Sequence, residues 1–359
     1  MGTVLTNKDL QELLKNFSVD QDHYVFRRID QGFINDTFLV LKKGQPRYIL
    51  QRINHEVFMD VAGVMGNMTK ALNYLNDEDY SLVVLIPAKT TNSYYELNHE
   101  EFWRLMEYIP NSFAHDFANN SKEAYEAGRI LGKFHLLMGN APVDQFVDTI
   151  PKFHNLSFRW QQFQEALKNA VSVRRNKADT AISFAEKIMP RLMELSTHEM
   201  PLRPCHNDTK LNNILFSKTT NKALCFIDLD TLMKGHFYYD FGDLVRTIAN
   251  TAKEDEKEHH KISFHRPLFE SFLDGLASNG HFLTQDELKS LLLGTVLMPF
   301  IHGLRALTDY LNNDKYYTVS YADQNLDRSL SLFDFSKKAL NELSYIEEIV
   351  AKKLKHTQY

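Results

Sequence analysis

The sequence predicts an α+β protein of two lobes, a small β-rich lobe followed by a larger, mostly helical one. Three observations point there. Between Tyr24 and about Pro110, short runs rich in Val, Ile, Leu, Tyr and Phe are separated by turn-like stretches, the pattern of strands. Beyond Pro110, long segments of helical character dominate. A chain of 359 residues is also long enough for two hydrophobic units. The expected boundary puts residues 1–108 in the first lobe and 109–359 in the second.

The elements follow in order. Strands are expected at "HYVFRRI", "DTFLVLKK", "RYILQRI", "LVVLIPAKT", "SYYEL" and "FWRLMEYI", with one helix between them from roughly Val57 to Leu75. Helices are expected at "SKEAYEAGRILGKFHLLMG", "FRWQQFQEALKNAV" and "ADTAISFAEKIMPRLMEL", with several more after Arg266. A short β island interrupts them at "CHNDTKLNNILFSKTTNKALCFIDLDT". There are no internal repeats and no long linker. A β-rich lobe joined to a helical one is a recurrent plan for holding a ligand in the cleft between them.

Composition removes several classes. Hydrophobic content of 43% and charged content of 24% are those of an ordinary globular protein. A formal net charge of -5 argues against nucleic-acid binding driven by overall charge. Two cysteines, Cys205 and Cys225, make neither a disulfide framework nor a zinc spacing and fit a reduced, cytoplasmic setting. The N-terminus lacks an apolar signal core; its match to Met-Gly-x-x-x-Thr is short enough to be chance. The apolar run Leu291–Leu304 is short and broken by Gly, Pro and His, so no membrane span is expected. No protein partner is implied.

The chemistry concentrates in "CHNDTKLNNILF", Cys205 to Phe216. Asp208, Lys210 and Asn213 stand as D-x-K-x-x-N, the catalytic-loop spacing of kinase-like phosphotransferases. Asp can take the proton of an attacking hydroxyl, Lys can reach the transferring phosphoryl oxygens, and the Asn amide oxygen can ligate Mg²⁺. A second metal ligand is expected from Asp228 in "CFIDLDT", at the end of an apolar strand. The fifteen-residue step from Asn213 to Asp228 accommodates a strand, a turn at "SKTTNKA" and a returning strand. Taken singly, His-x-Asp and Asn-rich stretches are usually turns. In this order, downstream of a β-rich lobe, they point to phosphoryl transfer. His206 reads as structural, and Asp230 either touches a second metal or ends the strand. In "YYDFGDLVRTIAN", Asp240 reads as a helix N-cap and Asp243 as a first-turn carboxylate. The other reading has Asp243 or Arg246 facing the substrate or bracing the catalytic loop.

"CHNDTKLNNILF", "FIDLDT" and "DFGDLVR" resemble the aminoglycoside phosphotransferase and choline kinase superfamily. "DQGFINDTFLV", "RYILQRIN", "FHNLSFRWQQF", "DYLNNDKYY" and "QNLDR" extend the resemblance over most of the chain, towards its N-acetylhexosamine 1-kinase branch. The resemblance implies a protein-kinase-like fold and ATP- and Mg²⁺-dependent phosphorylation of the anomeric hydroxyl of GlcNAc or GalNAc. It makes Asp208 the base, gives the metal to Asn213 and Asp228, and places Arg305 and Tyr316 around the sugar; Asp243 is added there on the substrate-facing reading of its helix.

The nucleotide side departs from better-known patterns. There is no Walker loop and no three-glycine loop; Gly32 alone is placed to let backbone amides approach phosphates, and a lone hairpin Gly is usually a turn residue. Where protein kinases carry a third-strand Lys, the candidates are Gln51 and Arg52, which alternate to opposite faces and leave open which one meets the cleft. The backbone at Glu107 and Ile109, in "LMEYIPN", is expected to hold adenine. Three functions stay open: a sugar 1-kinase, a kinase of another small alcohol such as choline, homoserine, methylthioribose or an aminoglycoside, and a non-catalytic pseudokinase.

Overall fold

A computed structural model describes residues 5–29, 34–89, 93–98, 100–196 and 200–354. After helix α1 (Asn7–Leu14), an antiparallel sheet is built from β1 (Tyr24–Ile29), β2 (Asp36–Lys42), β3 (Gln45–Ile53), β4 (Leu85–Ile86), β5 (Tyr95–Leu97) and β6 (Glu101–Glu107). The order is β1-β2-β3-β6-β4, with β5 also pairing β6. All six expected strands form, although "LVVLIPAKT" gives only a two-residue strand. Thr6 forms a capping box with Asp9 at the start of α1. The helix expected from Val57 is α2 (Val61–Tyr74). It starts late because Asp60 caps it, accepting the Gly63 N–H at 2.8 Å.

The larger part contains α3 (Ser121–Met138), α4 (Leu156–Asn169), α5 (Ser172–Lys177), α6 (Asp179–Leu195), α7 (Phe237–Ile248), α8 (Arg266–Ala277), α9 (Gln285–Leu311), α10 (Gln324–Asn341) and α11 (Leu343–Leu354). The β island is real. β7 (Ser112–Phe113), β9 (Ile214–Ser217) and β10 (Ala223–Phe226) form one small sheet, and β8 (Arg203–Cys205) pairs β11 (Met233–Gly235). The expected hairpin is β9–β10.

The apolar core does not divide where the strands give way to helices. Leu10, Phe17, Val40, Leu50 and Trp103 form one cluster between α1 and the sheet. Phe58, Val61, Val64, Met65 and Met68, around and on α2, belong to the large cluster of the helical part. Helix α9 is long and apolar enough to cross a membrane, yet 83% of its most apolar window is buried within the fold, as in a core helix. Its Gly294 meets α7 at Gly242, where an added Cβ would lie 2.0 Å from the Gly294 carbonyl oxygen. That close approach sets two site-bearing helices side by side.

Candidate active site

The loop after β8 hangs from one face of α7. The Asp240 carboxylate accepts the His206 N–H at 2.8 Å and the Asn207 N–H at 2.6 Å. Thr209 Oγ1 donates to the Asp240 carbonyl at 2.6 Å, Asp243 accepts the Lys210 N–H at 2.9 Å, and Thr247 Oγ1 accepts the Leu211 N–H at 3.1 Å. Positions 240, 243 and 247 share a helix face, so one helix satisfies four N–H groups of the loop backbone, those of His206, Asn207, Lys210 and Leu211, that would otherwise be buried without partners. Asn207 can then hold its left-handed conformation, φ 63°.

Two expectations change here. Asp240 is not an N-cap, because α7 begins three residues earlier with His236 at its cap and no side-chain cap bond. Asp243 does not face a substrate. It is 0% exposed, its oxygens accept the Lys210 N–H at 2.9 Å and Arg246 Nε at 2.6 Å, and His302 Nε2 lies 3.1 Å away. Bracing is what both residues do. Arg246 joins them, paired also with Glu254. His206 is structural as read: its Nε2–H donates to the Ile227 carbonyl at 2.9 Å, and its Nδ1 accepts the Asp208 N–H at 3.3 Å.

The reactive groups meet at the tip. Asp208 Oδ2 accepts from Asn213 Nδ2 at 3.0 Å and lies 3.1 Å from Lys210 Nζ. Burial, the largest influence, would raise the Asp208 pKa, but Lys210, with His206 and Arg246 adding to it, holds the carboxylate below its ordinary value. Asn213 Nδ2 also donates to the Asp208 carbonyl at 2.7 Å, so its amide oxygen is turned to the other side. Asp228 stands beside it, since Ile227 N–H donates to the Asn213 carbonyl at 2.8 Å. Asp228 takes a left-handed conformation, φ 61° and ψ 54°, and opens onto the cleft. Among the described residues no side chain or backbone group donates to its carboxylate. The surrounding protein and the negative charge of Asp230 push its pKa up to about 6, with Asp208 adding to the effect. A carboxylate crowded by like charge, next to an outward-facing amide oxygen, suits a hard divalent cation.

On the nucleotide side, the row Thr37, Gln51, Arg104 runs across three adjacent strands. Gln51 Nε2 donates to Thr37 Oγ1 at 2.9 Å, and Arg104 donates to Gln51 Oε1 through Nε at 3.0 Å and Nη2 at 2.8 Å. Arg104 also pairs with Asp230, so Gln51 faces the cleft. Arg52 does not: it is tied to Asp36 and Glu101 and lies 5.8 Å from the Trp103 ring centroid, on the other face. Glu107 ends β6, and among the described residues the Ile109 N–H makes no hydrogen bond, as an adenine-holding backbone requires. Gly32 lies outside the described residues.

Two of the residues expected around the sugar, Arg305 and Tyr316, line a cavity of about 440 Å³ together with Arg159, Gln162, Tyr317 and the carboxylates Glu56, Glu165 and Asp309. Arg305 stands 4.6 Å from the Phe153 ring centroid and 5.8 Å from that of Tyr316. Asp309 shapes the loop beneath: it accepts the N–H groups of Lys315, Tyr316 and Tyr317 at 2.8–2.9 Å, and Asn325 Nδ2 at 3.0 Å. Helix α9, which gives Arg305 to the cavity, carries His302 against Asp243 one turn earlier, and His154 Nε2–H donates to the Asn207 carbonyl at 2.8 Å.

Sequence reasoning missed Arg104, His154 and Asp309. A single Arg inside the apolar run "FWRLMEYI" was the available signal for the first. His154 and Asp309 gave no signal apart from motifs whose members are distant in the chain.

Solved structures share this fold. A microcompartment-associated aminopropanol kinase matches with TM-score 0.60 and 16% identity, over 95% of this chain and 98% of its own. Amicoumacin kinase in complex with AMP-PNP, Ca²⁺ and its ligand matches with TM-score 0.60 and 14% identity, over 93% and 92%. Choline kinase from Cryptosporidium parvum Iowa II matches with TM-score 0.54 and 14% identity, over 97% and 96%. Residues 25–267 match the model of the phosphotransferase enzyme family. With a protein-kinase-like fold and that match across most of its length, this chain belongs to the phosphotransferase enzyme family and is a small-molecule phosphotransferase.

Proposed function

We propose that this enzyme transfers the γ-phosphoryl group of ATP to the anomeric hydroxyl of an N-acetylated hexosamine. The observation that carries the transfer is Asp208, gripped by Asn213 and Lys210 within a loop that α7 holds rigid. Asp208 accepts the proton of the attacking hydroxyl, and its depressed pKa keeps it ionised at neutral pH. An anomeric hydroxyl is more acidic than an ordinary alcohol, so a modest base suffices in a loose transition state where positioning and charge neutralisation dominate. Lys210 orients Asp208 and offers its ammonium to phosphoryl oxygens. Asn213 and Asp228 hold Mg²⁺, which neutralises charge on the phosphates when bound.

The amino-sugar acceptor is supported by the sequence resemblance and by the cavity. Arg159 and Arg305 supply fixed donors, Gln162 an amide, and Tyr316 and Tyr317 aromatic faces with hydroxyls. The test is a panel of sugars and alcohols with ATP, product position fixed by phosphorus NMR. Phosphate on O1 of GlcNAc or GalNAc, with glucose much poorer, is expected. Equal use of glucose, phosphate on O6, or a preference for choline or homoserine overturns the acceptor and leaves the kinase.

A further inference from the structure

The segment "DLD" offers two carboxylates two residues apart, and the fold treats them oppositely. Asp228 opens onto the cleft with no protein donor among the described residues. A short turn, Leu229–Thr231, then swings Asp230 into the protein. Asp230 is 1% exposed and both its oxygens are spent: Oδ1 on Arg104 Nη1 and Oδ2 on Asn35 Nδ2 at 2.7 Å. Arg104, also 1% exposed, cannot swing freely, because Gln51 holds Nε and Nη2 while the Met65 and Met68 sulfurs flank Nη1 at 3.8 and 3.7 Å. Among the described residues Asp230 is its only carboxylate partner.

We propose that Arg104 is a built-in cation that occupies Asp230 and keeps this carboxylate out of the metal shell around Asp228. The "DLD" segment then presents one metal-binding carboxylate, and Arg104 is a positioning residue that also ties the β-sheet to the metal-ligand segment. The reason is electrostatic. A divalent ion is held by one or two carboxylates, and a buried guanidinium already pairs with the second one here. Removing one member of a buried pair strands the other charge, and a stranded carboxylate beside Asp228 recruits a cation. The inference rests on the metal-site reading of Asp228.

The experiment counts Mn²⁺ bound by the full chain with AMP-PNP, by electron paramagnetic resonance, in wild type, Asp228→Ala, Asp230→Asn, Arg104→Met and the double variant Arg104→Met/Asp230→Asn. Arg104→Met is expected to bind one more Mn²⁺ than wild type, and the double variant to lose that extra ion. Asp230→Asn alone keeps the wild-type number of ions at saturating Mn²⁺, with weaker affinity, because the Arg104 charge left without its carboxylate then opposes the cation. An unchanged count in Arg104→Met, a loss of nucleotide affinity there without an added ion, or loss of an ion in Asp230→Asn overturns the proposal. If Arg104→Met does not fold, the Asp230→Asn count decides alone. Asp228→Ala tests the underlying reading separately: unchanged Mn²⁺ binding in that variant shows that no metal sits at Asp228.

Discussion

At the scale of the residue, the base and its partners are separable. Asp208→Asn keeps shape and removes the proton acceptor, so kcat is expected to fall by roughly a hundred- to ten-thousand-fold while the AMP-PNP Kd stays near wild type. Stopped-time assays and calorimetry check this, and an Asn variant at wild-type rate removes Asp208 from the role. The pH profile follows from the same carboxylate. Burial raises its pKa, and Lys210 with His206 and Arg246 together lower it further, so the group loses its proton below the ordinary Asp range. Activity governed by Asp208 is therefore retained as pH falls towards that range and lost only beneath it. Lys210→Met removes the lowering charge, and the acidic limb of kcat/KM is expected to move to higher pH; a limb that stays put denies the coupling. Arg305→Ala should raise KM for the sugar, with a drop in kcat, and barely change KM for ATP, because a site built on polar contacts leaves its own groups unpaired when one is removed.

At the scale of the element, α7 is the part on which the site depends. Asp240→Ala orphans the N–H groups of His206 and Asn207, each costing about 1–3 kcal/mol when buried. A clearly lowered urea midpoint and a near-complete loss of activity are expected; a midpoint equal to wild type shows that the loop does not need α7. The α7–α9 crossing is equally tight. Gly242→Ala places a methyl against the Gly294 backbone, forcing the helices apart at about 1–3 kcal/mol. Since α9 carries His302 and Arg305, the sugar KM should rise along with the loss of stability, measured on the same preparation.

At the scale of the whole molecule, the sheet and the helical part share a core through α2. A fragment of residues 109–354 would expose Phe58's partners and lose Val61, Val64, Met65 and Met68 from the large cluster. Such a fragment is expected to be insoluble or molten, and a well-dispersed NMR spectrum from it would show that α2 is dispensable. The sequence alone determined the six strands of the sheet, the run of helices after it and the β9–β10 hairpin, and its spacing singled out Asp208, Lys210, Asn213 and Asp228 as candidates, because local periodicity and short-range spacing encode them. It could not decide between Gln51 and Arg52, since alternation names two faces without saying which is the cleft. It mistook Asp240 for a cap and left Asp243 open between a first-turn carboxylate, a substrate contact and a brace for the loop, since a carboxylate at a helix start looks the same whether it binds its own helix or a loop more than thirty residues away. Arg104 and Asp230 are 126 residues apart, and only the tertiary structure joins them: a buried charge is intelligible only once its partner is in place.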